Sequence, residues 1–321
     1  MPERSLDKRD RRILFELDRN ARVRLTTLAQ KLKMPIETVR YRIQRIVDGG
    51  YIKNFLTVID GGRLGYFYFK VFLRLHNVNE QTVRKIVADL AANPQICWVI
   101  RVDGAYDLGF TPRVTNPIEQ SELMDEIRSR YATVIQSWTL SVNVRMDFLS
   151  RDYLVGSKRE QVLGTYSTKR PPCRMDSLEE TVLKQLTTNP RATGAEIAKE
   201  LGVSTETVLS RIRRLEKEKV IIRYTSVVNC ETLGYLNYYV LVFFNRLETD
   251  REQQFHEFCR CHPNVVYYIK ALGPWDYELS IEVESLDAAR QFMMLMTQKF
   301  ADIIREHNAL LVHEIVKYVY P

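Results

Sequence analysis

Arginine, tyrosine and amide side chains gather on one face of a short segment near the start of the chain. At 100° per residue, Tyr41 and Gln44 lie opposite the apolar Val39 and Ile43. Side chains of these types hydrogen-bond to base edges and phosphates, so this face is a candidate nucleic-acid surface. A solvated helix face without a partner is the alternative interpretation. The candidate DNA contacts are Thr38, Arg40, Tyr41, Gln44, Arg45 and Lys53.

Three predicted helices and a strand position this face. Asp7 is a suitable N-cap for a first helix of about twelve residues. Lys33-Met34-Pro35 separates a second, shorter helix from the third, and Gly49-Gly50 ends the third helix before a strand-like segment. This order of elements is the plan of a winged helix-turn-helix, whose last helix enters the major groove of DNA.

The same pattern occurs a second time in the chain. Residue n resembles residue n+169 without a gap, so that Glu37-Thr38-Val39 corresponds to Glu206-Thr207-Val208. A second winged helix-turn-helix is therefore predicted, with Ser204 as the N-cap of its third helix. Its candidate DNA contacts are Thr207, Ser210, Arg213 and Arg214.

The remainder of each copy alternates strand-like and helical segments in the order βαββαβ. The last strand of the first copy is expected at 139–148, and that of the second copy at 310–318. The order is typical of a ferredoxin-like sandwich, an antiparallel sheet with helices on one face, so the predicted fold class is α+β. The open sheet face needs a partner, and the linked copy is the nearest one.

The repeat divides the chain into five parts. Polar and basic residues around Pro171-Pro172 mark 153–174 as a linker, long enough to leave the relative placement of the two copies open. The predicted domains are winged helix-turn-helix modules at 1–60 and 175–229 and βαββαβ modules at 61–152 and 230–321.

Composition narrows the classes of function. With 45% hydrophobic residues, the chain of 321 residues can form several cores, which excludes disorder as its main state. No apolar run approaches the roughly 18 residues that span a membrane, and the charged start lacks the apolar core of a signal peptide, so we expect a cytoplasmic protein. Five cysteines at irregular spacings favour reduced thiols.

The positive charge is concentrated in the first half of the chain. Residues 1–174 carry 30 Lys and Arg against 19 Asp and Glu, whereas residues 175–321 carry 17 against 21. Within the winged helix-turn-helix modules the counts are 14 against 8 for residues 1–60 and 9 against 8 for residues 175–229. Because phosphate attraction depends on such charge, we expect the first module to bind DNA more strongly than the second.

These modules and motifs resemble the Lrp/AsnC, or feast/famine, family of prokaryotic transcriptional regulators. The most specific pieces are Thr207-Val208-x-x-Arg211-Ile212, its counterpart Thr38-Val39-x-x-Arg42-Ile43, and Leu64-Gly65-Tyr66 with Leu233-Gly234-Tyr235. The resemblance implies sequence-specific binding to double-stranded DNA, and βαββαβ (RAM-type) modules that pair and sense amino acids. Family members usually carry one copy per chain. This chain therefore resembles a covalently linked pseudo-dimer, with pairing inside one chain, between two chains, or both.

The resemblance also places an effector near the turn between the second and third strands of each βαββαβ module. Backbone N–H groups beside a glycine could hold a carboxylate, and an aspartate could hold an ammonium group. An ordinary hairpin turn, with glycine at positive φ and a capping aspartate, is the alternative. The candidate effector residues are Gly104, Ala105, Tyr106, Asp107, Gly273, Trp275 and Asp276.

Two other functions remain as alternatives. The same two modules also resemble those of siroheme decarboxylases. The His-Arg pair expected in such an enzyme before Leu-Gly-Tyr is missing from both copies, which have Asp60-Gly61-Gly62-Arg63 and Asn229-Cys230-Glu231-Thr232 there. The chain shows no catalytic motif, so we expect no enzyme activity and no cofactor. The second alternative is a protein-binding regulator in which the nearly neutral second module no longer binds DNA.

One cluster of metal-ligand residue types, His256-x-x-Cys259-x-Cys261-His262, is predicted not to bind metal. The four residues fall on one predicted helix and point in different directions, whereas zinc sites draw converging ligands from two elements.

Overall fold

The computed structural model describes residues 6–159, 162–245 and 248–320. Residues 1–5, 160–161, 246–247 and 321, which include the ends of the first and last predicted domains and part of the predicted linker, lie outside the described residues. The first copy contains α1 (Lys8–Arg19), α2 (Leu25–Leu32), α3 (Ile36–Asp48), β1 (Ile52–Ile59), β2 (Phe67–Leu75), α4 (Glu80–Ala92), β3 (Ile96–Asp103), β4 (Leu108–Val114), α5 (Pro117–Arg130) and β5 (Ile135–Phe148). Between the copies lies β6 (Gly164–Ser167), and the second copy contains α6 (Ser177–Thr188), α7 (Gly194–Leu201), α8 (Thr205–Lys217), β7 (Ile221–Val228), β8 (Leu236–Phe244), α9 (Thr249–Cys261), β9 (Val265–Leu272), β10 (Tyr277–Val283), α10 (Leu286–Lys299) and β11 (Ile304–Tyr318).

Each winged helix-turn-helix begins with a capped helix. The carboxylate of Asp7 accepts hydrogen bonds from the backbone of Arg9 and Asp10 at the start of α1. Asp176 caps α6 in the same way, and both ends form capping boxes. The predicted N-caps Asp7 and Ser204 are confirmed.

The wing strand of each module pairs with the wing strand of the other copy. β1 and β7 run antiparallel, with Leu56 opposite Thr225. β1 carries Ile59 into the hydrophobic core of the second module, and β7 carries Val228 into the core of the first. Each module therefore completes its core with a residue of the other.

The two βαββαβ modules join into one closed antiparallel sheet. Each has the ferredoxin-like strand order, β5-β2-β4-β3 in the first copy and β11-β8-β10-β9 in the second. β3 pairs with β11 and β9 pairs with β5, which closes a ring of eight strands. The inner face is shared, with Phe72 and Trp98 of one copy packed among Tyr239 and Trp275 of the other. The predicted α+β fold class is confirmed, and the open sheet faces cover each other within one chain.

The segment predicted as a linker is packed against both copies. β6 pairs with the end of β5, and Tyr166 within it is 1% exposed. The buried Arg159 donates from Nε to Asp152 at 2.8 Å. Its other nitrogens donate to the backbone carbonyls of Ser150, Arg260, His262, Pro263 and Val265. The expectation that the linker leaves the placement of the copies open is wrong, because a buried guanidinium must satisfy its donors and so fixes its surroundings.

A buried ion-pair network joins the first winged module to the second half of the ring. Asp18, at the end of α1, lies 2.5 Å from Nη1 of Arg151, and Nε of Arg151 lies 2.8 Å from Oε2 of Glu282 on β10. The second copy has Thr187 and Tyr320 at the positions of Asp18 and Arg151, so it cannot repeat this network.

Candidate nucleic-acid interface

The third helix of the first copy, α3, exposes a polar face. Tyr41 is 67% exposed and the side chain of Arg40 is 62% exposed, with Nη1 of Arg40 3.6 Å from the carboxylate of Glu37. Nε2 of Gln44 donates to Oδ1 of Asp48 at 2.7 Å. The face points outward because Val39, Ile43 and Ile46 are buried on the other side of the helix. These exposed side chains are therefore available to a groove of DNA.

Arg45, by contrast, is tied to the helix behind α3. Its guanidinium forms an ion pair with the fully buried carboxylate of Asp10, and Nη1 of Arg42 bonds to the same carboxylate at 2.7 Å. In the second copy, Arg214 pairs in the same way with the buried Glu179. Arg45 and Arg214 thus hold α3 and α8, the recognition helices of the two modules, in place. Only some of their N–H groups remain available to bond to DNA.

Arg42 also bonds to the N-cap of α1. Burial raises the pKa of the Asp7 carboxyl, but the hydrogen bonds from Arg42 and from the backbone of Asp10 and Arg9 outweigh burial and lower this pKa to about 2. The Asp7 carboxylate therefore stays charged at neutral pH, where it both caps α1 and, through Arg42, holds α3 against α1.

The corresponding helix of the second copy, α8, offers fewer groups to DNA. Ser210 and Arg213 are exposed, and Nη1 of Arg213 lies 2.9 Å from Oε1 of Glu206. Thr207 is half-buried, and Leu209 stands where α3 has Arg40.

The two wings also differ. Lys53 is exposed on the first wing, but its counterpart on the second is Ile222. Ile222 packs against Gly164 of β6 so closely that a Cβ on Gly164 would lie 2.2 Å from Cγ2 of Ile222. The segment between the copies thus covers the second wing. Sequence reasoning missed this contact, and the change from a lysine to an isoleucine within the repeat is the signal that points to it.

The first candidate effector turn is held by internal bonds. Oδ2 of Asp107 accepts the backbone N–H of Leu75 at 2.7 Å, and Oδ1 lies 3.5 Å from Nη1 of Arg74. Gly104 has a φ of 137°, and a Cβ there would lie 3.1 Å from the backbone oxygen of Ala309 in the other copy. Asp107 therefore fixes the end of β2, and the turn needs glycine for both conformation and space.

The second candidate turn is more buried. Oδ2 of Asp276 accepts the backbone N–H of Phe244 at 2.7 Å, as Asp107 does for Leu75. Trp275 is 1% exposed, and its Nε1 donates to the buried Glu278 at 2.9 Å. Gly273 lies against Ser141, where a Cβ would meet Cα at 2.9 Å. The remaining candidates, Ala105 and Tyr106, are exposed and half-buried respectively.

The residues of the cysteine and histidine cluster have separate environments. Nε2 of His256 lies 2.8 Å from Oδ2 of Asp147, Cys259 is buried and Cys261 is exposed. Within the part of the chain that the structure describes, no group of three or more His, Cys, Asp or Glu side chains is placed to hold a metal ion. Nor does any described helix combine the length and apolarity needed to cross a membrane.

Comparison with known proteins places these modules in a family. A family model described as winged helix-turn-helix DNA-binding matches residues 6–53 and 175–222. The HTH-type transcriptional regulator PH1916 of Pyrococcus horikoshii is 37% identical over 131 residues, which cover 40% of this chain and 86% of that protein. The leucine-responsive regulatory protein of Escherichia coli is 30% identical over 131 residues, which cover 40% of this chain and 78% of that protein.

One solved structure matches nearly the whole chain. The crystal structure of the siroheme decarboxylase NirDL aligns with 98% of this chain and 93% of that chain, with a TM-score of 0.62 and 15% sequence identity. At this identity the likeness shows a common fold. The sequence relatives are transcriptional regulators, each matched by less than half of this chain. The chain thus belongs to the Lrp/AsnC family of transcriptional regulators and carries the family's architecture twice.

Proposed function

We propose that the chain holds α3 and α8 on one DNA duplex and that α3 supplies most of the binding energy. The observation that carries the proposal is the difference between the two modules. The first presents Arg40, Tyr41 and Lys53 to solvent, whereas the second has Leu209, Ser210 and Ile222 at these positions. Since arginine and lysine neutralise phosphates and arginine also bonds to base edges, the first module has the larger attraction for DNA.

The pairing of the wings supports the use of a single duplex. β1 and β7 are hydrogen-bonded along their length, and Nη1 of Arg22 donates to the carbonyls of Pro190 at 2.9 Å and Ala192 at 2.6 Å across the two modules. The two recognition helices therefore keep a fixed separation, which suits an operator with two half-sites.

We further propose that a small effector, of which an amino acid is the leading candidate, binds beside the turns at Gly104–Asp107 and Gly273–Asp276. The family membership supports this role. Asp107 and Asp276 are already engaged with backbone N–H groups, so the effector would bind to backbone donors of the turns. The exposed backbone around Ala105 offers more such donors than the second turn, because Pro274 has no N–H. An effector acts on DNA binding only if it favours one placement of the winged modules over another.

Fluorescence anisotropy with DNA from upstream of the chain's own coding sequence, and with scrambled DNA, tests DNA recognition over a salt series. We expect tighter binding to the upstream DNA and a loss of affinity as salt rises. A second series with pooled amino acids tests the effector. Absence of binding at low salt would refute the DNA role, and affinity unchanged by every amino acid would refute the effector role.

Matched variants separate the two modules. Arg40→Ala with Lys53→Ala removes two exposed cations from the first module, and Arg213→Ala with Lys217→Ala removes two from the second. We expect the first pair to weaken binding by about tenfold or more and the second by roughly threefold. Equal losses would contradict the asymmetry.

We propose a regulator without tetrapyrrole chemistry, although the fold is shared with a siroheme decarboxylase. The cavity between the two inner sheet faces has a volume of about 40 Å³, and its lining includes six tyrosines, among them Tyr68, Tyr166 and Tyr267. Cavities that bind ligands of drug size have roughly 300 to 1,000 Å³. Titration with an iron porphyrin should leave its absorption spectrum unchanged, and a stoichiometric spectral shift would reopen the enzyme alternative.

A further inference from the structure

A groove runs along the side of α1 that faces away from α3, and its volume is about 860 Å³. At 100° per residue, Arg12 and Arg19 lie on the opposite side of α1 from Asp10, which holds α3. Described residues within 150–158, together with Leu163, form the other wall. The cations that line this basic groove are Lys8, Arg11, Arg12, Arg19, Lys31 and Lys158.

The acidic residues of the basic groove are already engaged. Glu16 bonds to Lys31 at 2.7 Å, and Asp152 bonds to the buried Arg159 at 2.8 Å. The remaining five cations form no ion pair with any acidic residue that the structure describes. Four of them lie on α1 and Lys158 lies on the facing wall. Among the described residues, the groove therefore presents positive charge from two sides that no acidic side chain pairs with.

The repeat shows that the fold does not require these cations. In α6, which corresponds to α1, Ser177, Glu180, Thr181 and Thr188 occupy the positions of Lys8, Arg11, Arg12 and Arg19. Both helices have 12 residues and both begin with a capping box. Like charges three or four residues apart destabilise a helix, so Lys8, Arg11 and Arg12 do not stabilise α1 through one another.

We propose that the basic groove binds a small phosphorylated molecule with several negative charges, of the nucleoside polyphosphate class. Lys8 and Arg19 are about 16 Å apart along the helix axis, which matches an extended nucleotide with its phosphates. The volume lies within the range of roughly 300 to 1,000 Å³ found for small-molecule sites. Arginine forks bind phosphate oxygens in pairs, and the planar guanidinium of Arg19, which lies 5.5 Å from the centroid of the largely buried Phe15 ring, offers a surface on which a base can stack.

Duplex DNA fits this groove less well than a small molecule does. The cations converge from two walls, whereas a duplex contacts a broad surface. Arg12 also faces away from α3, so a duplex held by the recognition helix lies on the other side of α1. The proposal is thus independent of the operator and of the effector turns.

Isothermal titration of the full chain with ATP and with inorganic tripolyphosphate, at low salt and without added metal, tests the proposal. The variant Lys8→Ser/Arg12→Thr/Arg19→Thr introduces the residues that α6 carries at the same positions. The control Lys85→Ser/Arg128→Thr/Arg290→Thr removes three exposed cations from the helices of the βαββαβ modules. We expect the first variant to weaken ATP binding by about tenfold or more and the control to change it by less than about twofold. Circular dichroism should be unchanged in both variants, and both should lose a similarly small part of their affinity for the upstream DNA, because each loses three positive charges.

Three results would overturn the proposal. One is that neither ATP nor tripolyphosphate binds the unmodified chain. Another is that the control weakens ATP binding as much as the groove variant, because net charge alone would then explain the loss. The third is that the groove variant loses affinity for scrambled duplex while its ATP affinity is unchanged, which would make the groove a contact for the DNA backbone.

Discussion

Buried carboxylates beneath α3 and α8 explain why an arginine on a DNA-recognition helix can stabilise the fold instead of contacting DNA. Asp10 holds Arg42 and Arg45, and Glu179 holds Arg214 at the same place in the repeat. An unpaired buried carboxylate is costly, so these arginines are needed for the fold. From the sequence, Arg45 and the exposed Arg40 were equivalent candidates for DNA binding, because helical periodicity gives the direction of a side chain but not its partner.

Substitutions of Arg40 and Arg45 of α3 are therefore expected to differ in their effects. Arg45→Ala should lower the free energy of unfolding by about 1 to 3 kcal/mol, since Asp10 keeps Arg42 but loses one charged partner. Arg40→Ala should change it by less than about 0.5 kcal/mol and weaken DNA binding instead. Urea unfolding and anisotropy on both variants measure the two effects. A stability loss shared equally by both variants would contradict this distinction.

His262 gives a prediction about pH. Burial, with a smaller contribution from the charge of Arg159, lowers the pKa of His262 to about 4, and its Nδ1 accepts the backbone N–H of Asn264 at 3.3 Å. The folded state therefore favours neutral imidazole. This contribution to stability is complete above the unfolded pKa of about 6.5 and is lost as pH falls toward 4.

His262→Asn isolates that contribution, because the first copy carries Asn93 at this position and its Oδ1 accepts a backbone N–H in the same way. Between pH 7 and pH 4, the chain with His262 should lose on the order of 2 kcal/mol more stability than the variant. Urea unfolding at several pH values provides the measurement. Parallel pH profiles for the two proteins would show that His262 does not titrate in this window.

At the scale of elements, the periodicity of apolar residues predicted those helices and strands whose formation depends on residues close together in the sequence. The predicted order βαββαβ is found in both copies, and the N-caps Asp7 and Ser204 were evident from residue type. The lengths of the two longest strands, β5 and β11, were underestimated. β5 begins at Ile135 rather than 139 and β11 at Ile304 rather than 310, since residues in their first halves are largely exposed and carry no apolar alternation.

The segment between the copies could not be predicted because its order depends on distant carbonyl groups. Its anchor is Arg159, whose donors are satisfied by backbone oxygens near the end of α9. A charged linker sequence by itself gives no sign that such acceptors will be present. Positions at which the two copies differ are more informative. Ile222 stands where the first copy has a lysine, and it is in contact with β6.

Arg159→Met should release this segment. Removal of the guanidinium takes a donor away from several carbonyls and the charged partner away from Asp152, at a cost of about 2 to 3 kcal/mol. We expect trypsin to cut after the exposed Lys158 about tenfold faster or more than in the unmodified chain. Lys169→Met, which removes an exposed charge nearby, serves as the control. Unchanged cleavage at Lys158 would show that Arg159 does not hold the segment.

On the scale of the whole molecule, the closed ring and the paired wings make the two copies interdependent. The sequence indicated that each sheet had an open face, and it identified the linked copy as a possible cover. It could not give the register of β3 with β11 or of β1 with β7, because pairing between residues more than a hundred positions apart leaves no local pattern.

The shared cores lead to a prediction about unfolding. Since Ile59 completes the core of the second winged module and Val228 that of the first, neither copy should unfold alone. Calorimetry should give one transition with equal calorimetric and van't Hoff enthalpies. Two resolved transitions, or a stable monomeric fragment of residues 175–321, would contradict this interdependence.

The ring made by one chain also changes how the protein responds to dilution. Where two subunits must meet before two recognition helices can act together, the active fraction falls with the concentration of the protein. Here the second helix is present at a fixed distance from the first however few molecules a cell contains, so DNA occupancy should follow chain concentration linearly at low abundance rather than as its square. Covalent duplication also allows each half to vary alone, and an operator for this chain need not be palindromic.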